Sequence, residues 1–89
     1  MKKRIQCLKR DRTLAGNLWM LRRRSGLRQR EVAAQLQVMG LDVSRETYSH
    51  IEAGIRHVPV PVLRGLKEIY RASWEEIMEP VAGGPVKKL

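Results

Sequence analysis

Apolar residues recur at intervals of three and four along short blocks of this sequence, and this spacing limits the possible folds more than any other feature. In the first block Leu14, Leu18 and Leu21 share one side of a helix, and Gly26 follows where a left-handed residue would end that helix. No segment alternates apolar and polar residues in the manner of a half-buried strand. We therefore predict an all-α fold, a compact arrangement of five short helices.

The boundaries of these helices follow from capping residues, glycines and prolines. Ser44 is a good N-cap for the third helix, and Gly40 and Gly54 end the second and third helices. Ser73 and Glu76 have the spacing of a capping box at the start of the fifth helix. The predicted helices are Leu14–Ser25 after a Thr13 cap, Arg28–Met39, Ser44–Ala53, Val62–Arg71 and Ser73–Glu79, with a loop over Ile55–Pro61 that contains two prolines.

The 89 residues suffice for one domain, and their composition divides the chain into three parts. Residues 1–12 are rich in Lys and Arg and are predicted to be a basic arm or a helical extension. Residues 13–79 contain the apolar blocks and form the predicted domain. Residues 80–89, PVAGGPVKKL, are predicted to be a flexible tail. The sequence leaves open whether the arm embraces an anionic partner or is disordered.

Positive charge is concentrated in the first two thirds of the chain. The full sequence has 18 basic and 9 acidic residues, a formal charge of +9. Residues 1–56 contain 13 of the basic and 5 of the acidic side chains, which leaves 5 and 4 for the remainder. An uneven basic excess is typical of a polyanion-binding protein, with nucleic acid favoured over an anionic membrane surface. A charged surface that only serves solubility is the alternative.

Other function classes lack the residues they need. Cys7 is the only cysteine, so no intramolecular disulfide can form. No stretch of about 18 apolar residues is present, and no apolar segment follows the basic start as in a secretion signal, so we expect a cytoplasmic protein. His50 and His57 lack metal-ligand spacing, and Ser49, His50 and Glu52 point in different directions on one helix. We expect no enzyme activity, no metal and no cofactor.

The third predicted helix separates apolar from polar side chains. At about 100° per residue, Tyr48 and Ile51 fall on the same side as the Ser44 cap. The opposite side carries Arg45, Glu46, Ser49 and His50. Arg pairs with guanine O6 and N7, Glu accepts from cytosine N4, and Ser adapts to several bases. The same polar side is also compatible with an ordinary solvated helix, or with an intrahelical pair between Glu46 and His50.

Three ordered stretches between Leu18 and Met78 resemble the lambda-repressor/Cro-like helix-turn-helix family, also called the XRE family. They are LRRRSGLRQREVAAQL, VSRETYSHIEAG and VLRGLKEIYRASWEEIM. The positions that match the family pattern are Gly26, Leu27, Gln29, Glu31, Ala33 and Leu36, then Ser44, Thr47, Ile51, Glu52 and Gly54. The resemblance implies a five-helix DNA-binding domain whose third helix lies in the major groove of duplex DNA.

The resemblance also implies a role for individual residues. Base contacts are implied for Arg45, Glu46, Ser49 and His50, and phosphate contacts for Gln29, Arg28, Ser44, Thr47 and Arg56. Arg22 and Glu52 match a structural ion pair that ties the first helix to the end of the third. Members of the family commonly bind palindromic operators as homodimers, so the implied function is transcription regulation, by repression. The alternative is a protein-interaction module, such as an antitoxin-like or phage regulatory protein.

Two positions depart from the family pattern. Seven residues, QVMGLDV, separate Leu36 from Ser44, five more than the usual spacing, and we predict a longer second helix and elbow. Ala53 stands where the family often has a phosphate-binding Asn.

Two further features of the sequence remain open to more than one interpretation. Trp74 is predicted either to pack in the core or to share a dimer interface with Ile77 and Met78. Arg23 and Arg24 either contact phosphate or belong to a solvated face.

Overall fold

The computed structural model describes the backbone of residues 4–79 and the side chains of residues 13–79. Over that range the chain forms five helices and no strand, which confirms the predicted all-α class. The helices are α1 (Arg4–Ser25), α2 (Gln29–Val38), α3 (Arg45–Glu52), α4 (Val60–Tyr70) and α5 (Trp74–Met78). None of these helices is both long enough and apolar enough to cross a membrane.

Helix α1 begins earlier than the sequence predicted. Thr13 lies inside the helix, so its prediction as an N-cap was wrong. The residues between Arg4 and Thr13 include neither Gly nor Pro, and the Lys, Arg, Leu and Gln among them are favourable in helices. The helix therefore includes most of the segment predicted as a basic arm or helical extension. Residues 1–3 of that segment and the predicted tail at 80–89 lie outside the described residues.

Helices α2 and α3 start at defined caps. The backbone N–H of Arg28 donates to the Glu31 carboxylate at 2.7 Å, so Arg28 is the cap of α2 and not its first residue. Ser44 caps α3 as predicted, because its hydroxyl oxygen accepts from the Thr47 backbone N–H at 3.0 Å. Gly26 has a φ of +73°, the left-handed conformation expected at the end of α1.

Helix α4 starts at Val60, inside the segment predicted as a loop. Pro61 lies in the first turn, where a missing backbone N–H removes no helical hydrogen bond, so this proline does not exclude a helix. The helix ends at Tyr70, one residue before the predicted end, and Arg71 adopts a left-handed conformation with φ of 52°. Helix α5 starts with the predicted capping box between Ser73 and Glu76.

The apolar blocks of all five helices meet in one core. Its most deeply buried side chains are Leu18 of α1, Val32 and Leu36 of α2, Tyr48 and Ile51 of α3, Leu66 of α4 and Ile77 of α5. Because every helix contributes, the orientation of α3 depends on packing from the whole domain.

The longer connection between α2 and α3 packs against α4 at a glycine. The Gln37 amide donates to the Val43 carbonyl at 2.9 Å and closes the connection. A Cβ atom on Gly65 would lie 2.9 Å from Leu36 Cδ2 and 3.1 Å from Leu41 Cδ1. The missing side chain at Gly65 therefore makes room for the connection, and α2 itself extends only to Val38.

Helix α5 is fixed to α1 by a buried asparagine. Asn17 is 3% exposed, and its amide nitrogen donates to the carbonyls of Ile77 at 2.8 Å and Glu79 at 2.7 Å. The prediction of Trp74 as a core residue was wrong, since its side chain is 44% exposed. A five-residue helix buries only one side, and in α5 that side is occupied by Ile77.

Candidate nucleic-acid interface

Helix α3 has one side in the core and one side in solvent. Tyr48 and Ile51 are buried, whereas Arg45, Glu46 and His50 are exposed. Ser49 and Thr47 are half-buried at the edge between the two sides. The structure therefore places three of the four predicted base-contacting side chains, Arg45, Glu46 and His50, together on the solvent-facing side of one helix, with Ser49 half-buried beside them.

The exposed polar groups of α3 are not paired with one another. Among the described side chains, no hydrogen bond or ion pair joins Glu46 to Arg45 or to His50. Their donors and acceptors are therefore available to an external partner. The intrahelical pair between Glu46 and His50, which the sequence left open, does not form.

The structure brings Arg22 and Glu52 together as a two-point ion pair. Arg22 Nε lies 2.6 Å from Glu52 Oε2, and Arg22 Nη2 lies 3.1 Å from Glu52 Oε1. The Glu52 side chain is only 3% exposed. The hydrogen bond with Glu52 outweighs the opposing effect of burial and raises the pKa of Arg22 above its ordinary value. The pair joins α1 to the last residue of α3.

Two more groups join this ion pair to the start of α2. The Gln29 amide nitrogen donates to Glu52 Oε1 at 3.0 Å, and Arg22 Nη1 donates to the Leu27 carbonyl at 2.9 Å. Gln29 is the residue to which the family resemblance assigns a phosphate contact. An amide group has two N–H donors, so one is held by Glu52 and the second is left for another acceptor. The orientation of Gln29 is therefore fixed by the end of α3.

Arg22, Gln29 and Glu52 form a polar cluster, and two buried tyrosines complete it. Sequence reasoning missed the pairing of these tyrosines. The hydroxyls of Tyr48 and Tyr70 are hydrogen-bonded to each other between α3 and α4, and both side chains are buried. Burial raises the pKa of Tyr48 above its ordinary value, with a further contribution from Tyr70, and burial likewise raises the pKa of Tyr70. The available signal was the hydroxyl itself, since a buried tyrosine needs a hydrogen-bond partner.

The other predicted phosphate-contacting residues lie near the ends of α2 and α3. Arg28 is exposed at the cap of α2, and Arg56 is exposed just after α3. The Ser44 hydroxyl donates to Thr47 Oγ1 at 3.1 Å while it caps α3. Ser44 and Thr47 therefore already have a structural role at the helix start. The Ser44 hydroxyl oxygen lies 3.0 Å from the Thr47 backbone nitrogen there.

A small cleft lies between α1 and the segment after α3. It has a volume of about 50 Å³ and is lined by Leu14, Ala15, Ile51, Gly54, Arg56, His57 and Val58. Small-molecule sites usually measure about 300–1,000 Å³, so this cleft is below the size of a substrate pocket. Within residues 13–79 no cluster of three or more His, Cys, Asp or Glu side chains can hold a metal ion.

A comparison with known protein families agrees with this geometry. The family model described as a helix-turn-helix domain matches residues 13–79, three quarters of the chain. The chain therefore belongs to the helix-turn-helix domain family, whose members are DNA-binding proteins and typically transcription regulators. No match to a curated protein or to a solved structure was found.

Proposed function

We propose that this protein is a sequence-specific regulator of the lambda-repressor/Cro type that binds duplex DNA with α3 in the major groove. One observation carries the proposal. Arg45, Glu46 and His50 are exposed and unpaired along one side of α3, while Tyr48 and Ile51 fix the other side in the core. A helix held in this way presents hydrogen-bonding groups to base edges from a backbone that is already ordered.

Each exposed side chain has a definite chemical preference. Arg45 is suited to the two acceptors of guanine, Glu46 to the amino donor of cytosine, and His50 and Ser49 to either kind of group. A good two-point contact discriminates against the wrong base by about 1–3 kcal/mol. Glu46 near the phosphates also opposes binding unless a base donates a hydrogen bond to its carboxylate. It therefore selects against sites without such a base.

Contacts to phosphate would supply most of the affinity. Arg28, Gln29 and Arg56 lie near the ends of α2 and α3, and Ser44 and Thr47 lie at the start of α3. Each neutralised phosphate lowers the slope of log affinity against log salt by about 0.9. As a DNA-binding regulator the protein would act without catalysis and in the cytoplasm.

We further propose that it represses transcription as a homodimer on a palindromic operator. Half-sites of such operators are separated by about 34–36 Å, one helical turn of DNA. Trp74 and Met78 of α5 support a dimer, because they are 44% and 51% exposed on neighbouring positions of one helix side. Ile77 is fully buried and is not available to a partner.

The decisive experiment is a selection of bound sequences from a random duplex pool, followed by salt titrations with two variants. Arg45→Ala is expected to lose about 5- to 150-fold in affinity for the selected site, as the 1–3 kcal/mol of one base contact implies, and to keep its affinity for random duplex. Arg64→Ala is the matched control, since it removes the same charge from the exposed side of α4. Equal effects of the two variants would refute base reading by α3.

A protein-interaction module is the second candidate, and one observation favours it. Trp19, Met20, Trp74 and Met78 are each 44–51% exposed, which is unusual for such large apolar side chains. If the selection yields no preferred sequence and random duplex is bound only weakly, a protein partner becomes the better explanation of these side chains.

A further inference from the structure

Three consecutive arginines near the end of α1 have three different environments. Arg22 is held by Glu52, as described above. Arg24 Nη1 donates to Glu76 on α5 at 2.9 Å. Arg23 has no carboxylate within ion-pair distance among the described side chains. Of the three, only Arg23 has no acidic partner among the described side chains.

Arg23 is instead stacked on an exposed tryptophan. Its guanidinium carbon lies 4.9 Å from the ring centroid of Trp19, one helical turn earlier on α1. Trp19 is 45% exposed, so neither partner is part of the core. A cation–π contact does not consume the N–H donors of the guanidinium in hydrogen bonds, so these donors are left for a further acceptor. The stack also limits the rotamers of Arg23, which reduces the entropy lost on binding.

The stack lies on the outer side of α1, next to the side that contacts the end of α3. Ala15 lines the cleft that also contains Arg56, and Arg22 binds Glu52. On a helix with about 100° per residue, Trp19 falls within about 60° of both Ala15 and Arg22, on their outer side. Arg23 lies about 80° from Ala15 and about 100° from Arg22, so it is directed away from the core.

We infer that Arg23, positioned by Trp19, is an additional phosphate clamp on duplex DNA. The inference rests on the proposed function, because it places a DNA backbone alongside the exposed side of α3. A planar guanidinium binds phosphate oxygens through two parallel hydrogen bonds, which an ammonium group does not do. Trp19 itself acts as a positioning residue. The clamp contributes to affinity for every duplex and carries no sequence preference.

The chain contains a matched control for this stack. The Lys67 ammonium lies 5.5 Å from the ring centroid of Trp74, and Trp74 is 44% exposed. This second stack has similar chemistry and exposure, but it joins α4 to α5, whereas Trp19 and Arg23 both lie on α1. Substitution of Arg23 or Lys67 by alanine removes one positive charge and one cation–π contact in each case.

The test compares Arg23→Ala with Lys67→Ala in the full chain, using a selected site and a random duplex over a range of salt concentrations. Arg23→Ala is expected to weaken binding to both duplexes by about fivefold and to reduce the magnitude of the salt slope by about 0.9. At protein concentrations where both variants have the same oligomeric state as the wild type, Lys67→Ala is expected to change affinity by less than about twofold. Arg23→Lys should retain the salt slope and lose part of the affinity. Thermal unfolding of each variant checks that the fold is intact.

Fluorescence provides an independent readout. The chain has two tryptophans, so in Trp74→Phe the emission comes from Trp19 alone. Addition of duplex DNA is expected to change that emission, and no change at saturation would overturn the inference. Equal effects of the Arg23 and Lys67 variants, or no effect of Arg23→Ala, would also overturn it. An effect of Arg23→Ala in a protein that has no preferred sequence would refute only the proposed base reading. A protein without any affinity for DNA would refute both.

Discussion

The substitution Glu52→Gln tests whether the polar cluster between α1, α2 and α3 holds the domain together. The Glu52 carboxylate accepts two hydrogen bonds from Arg22, at 2.6 and 3.1 Å, and one from Gln29, at 3.0 Å. Glutamine keeps the shape of the side chain and removes its negative charge. The Arg22 guanidinium, 13% exposed, is then left near the core without a counter-ion.

The expected loss of stability follows from this burial. Breaking a buried ion pair by changing one partner costs about 3–5 kcal/mol, because the other charge stays buried. Arg22 keeps its hydrogen bond to the Leu27 carbonyl, and the new amide oxygen still accepts one bond, so the lower end applies. We therefore expect Glu52→Gln to lower the free energy of unfolding by about 3 kcal/mol. For a domain of this size the melting temperature should fall by about 12–24 °C.

Urea unfolding followed by circular dichroism measures this loss. The control is Arg24→Gln, which breaks the ion pair with Glu76, where the side chains are 53% and 43% exposed, and should cause a far smaller loss. The double variant Arg22→Met with Glu52→Leu should be more stable than Glu52→Leu alone, because no uncompensated charge remains. A loss below about 1 kcal/mol for Glu52→Gln would show that the pair behaves like a surface pair and refute the reasoning.

Three further predictions concern contacts that position α3 and α5. Gly65→Ala should lower the unfolding free energy by about 1 kcal/mol in urea titrations: the added Cβ, 2.9 Å from Leu36 Cδ2, forces a shift that exceeds the gain in helix propensity. An unchanged or higher stability would contradict the close approach. Asn17→Ala should cost about 2 kcal/mol, since it leaves two carbonyls at the end of α5 without their donor, and a calorimetric melt like that of the wild type would rule this out. The raised pKa values of Tyr48 and Tyr70 favour the neutral hydroxyls in the folded state, so their stabilising effect is present below pH 10 and lost as pH rises beyond it. Unfolding at pH 8 and 11 should show this loss, and a Tyr48→Phe, Tyr70→Phe variant with the same alkaline loss would disprove the assignment.

Local signals were sufficient to predict most helices from the sequence. The Ser44 cap and the Ser73–Glu76 capping box lie within a few residues of the structure they create. The same reasoning failed at Thr13, because a residue suited to capping is also tolerated inside a helix of favourable residues. It failed at Val60 for a similar reason, since Pro61 is compatible with a loop and with a first helical turn.

The residues that hold the helices around the candidate site together are distant in sequence, and local sequence patterns do not predict their contacts. Asn17 binds the carbonyl of Ile77, 60 positions later, and the paired hydroxyls of Tyr48 and Tyr70 are 22 positions apart. No periodicity predicts such partners. The proximity of Arg22 and Glu52 was implied by the family resemblance and not by spacing. The exposed side of α3, in contrast, could be predicted from helical geometry alone.

The fit of the long α2–α3 connection against Gly65 has a consequence for engineering new DNA specificities. Exchange of α3 for the corresponding helix of a relative assumes that the helix can be replaced without changing the rest of the domain. Here the connection before the helix fills the space above Gly65, with Leu41 in contact at that position. A graft with a shorter connection would leave this space empty, and a larger residue at 65 would obstruct the native one. The effect of a substitution in the α2–α3 connection therefore depends on the residue at position 65, and the reverse. A successful exchange has to transfer or redesign the two together.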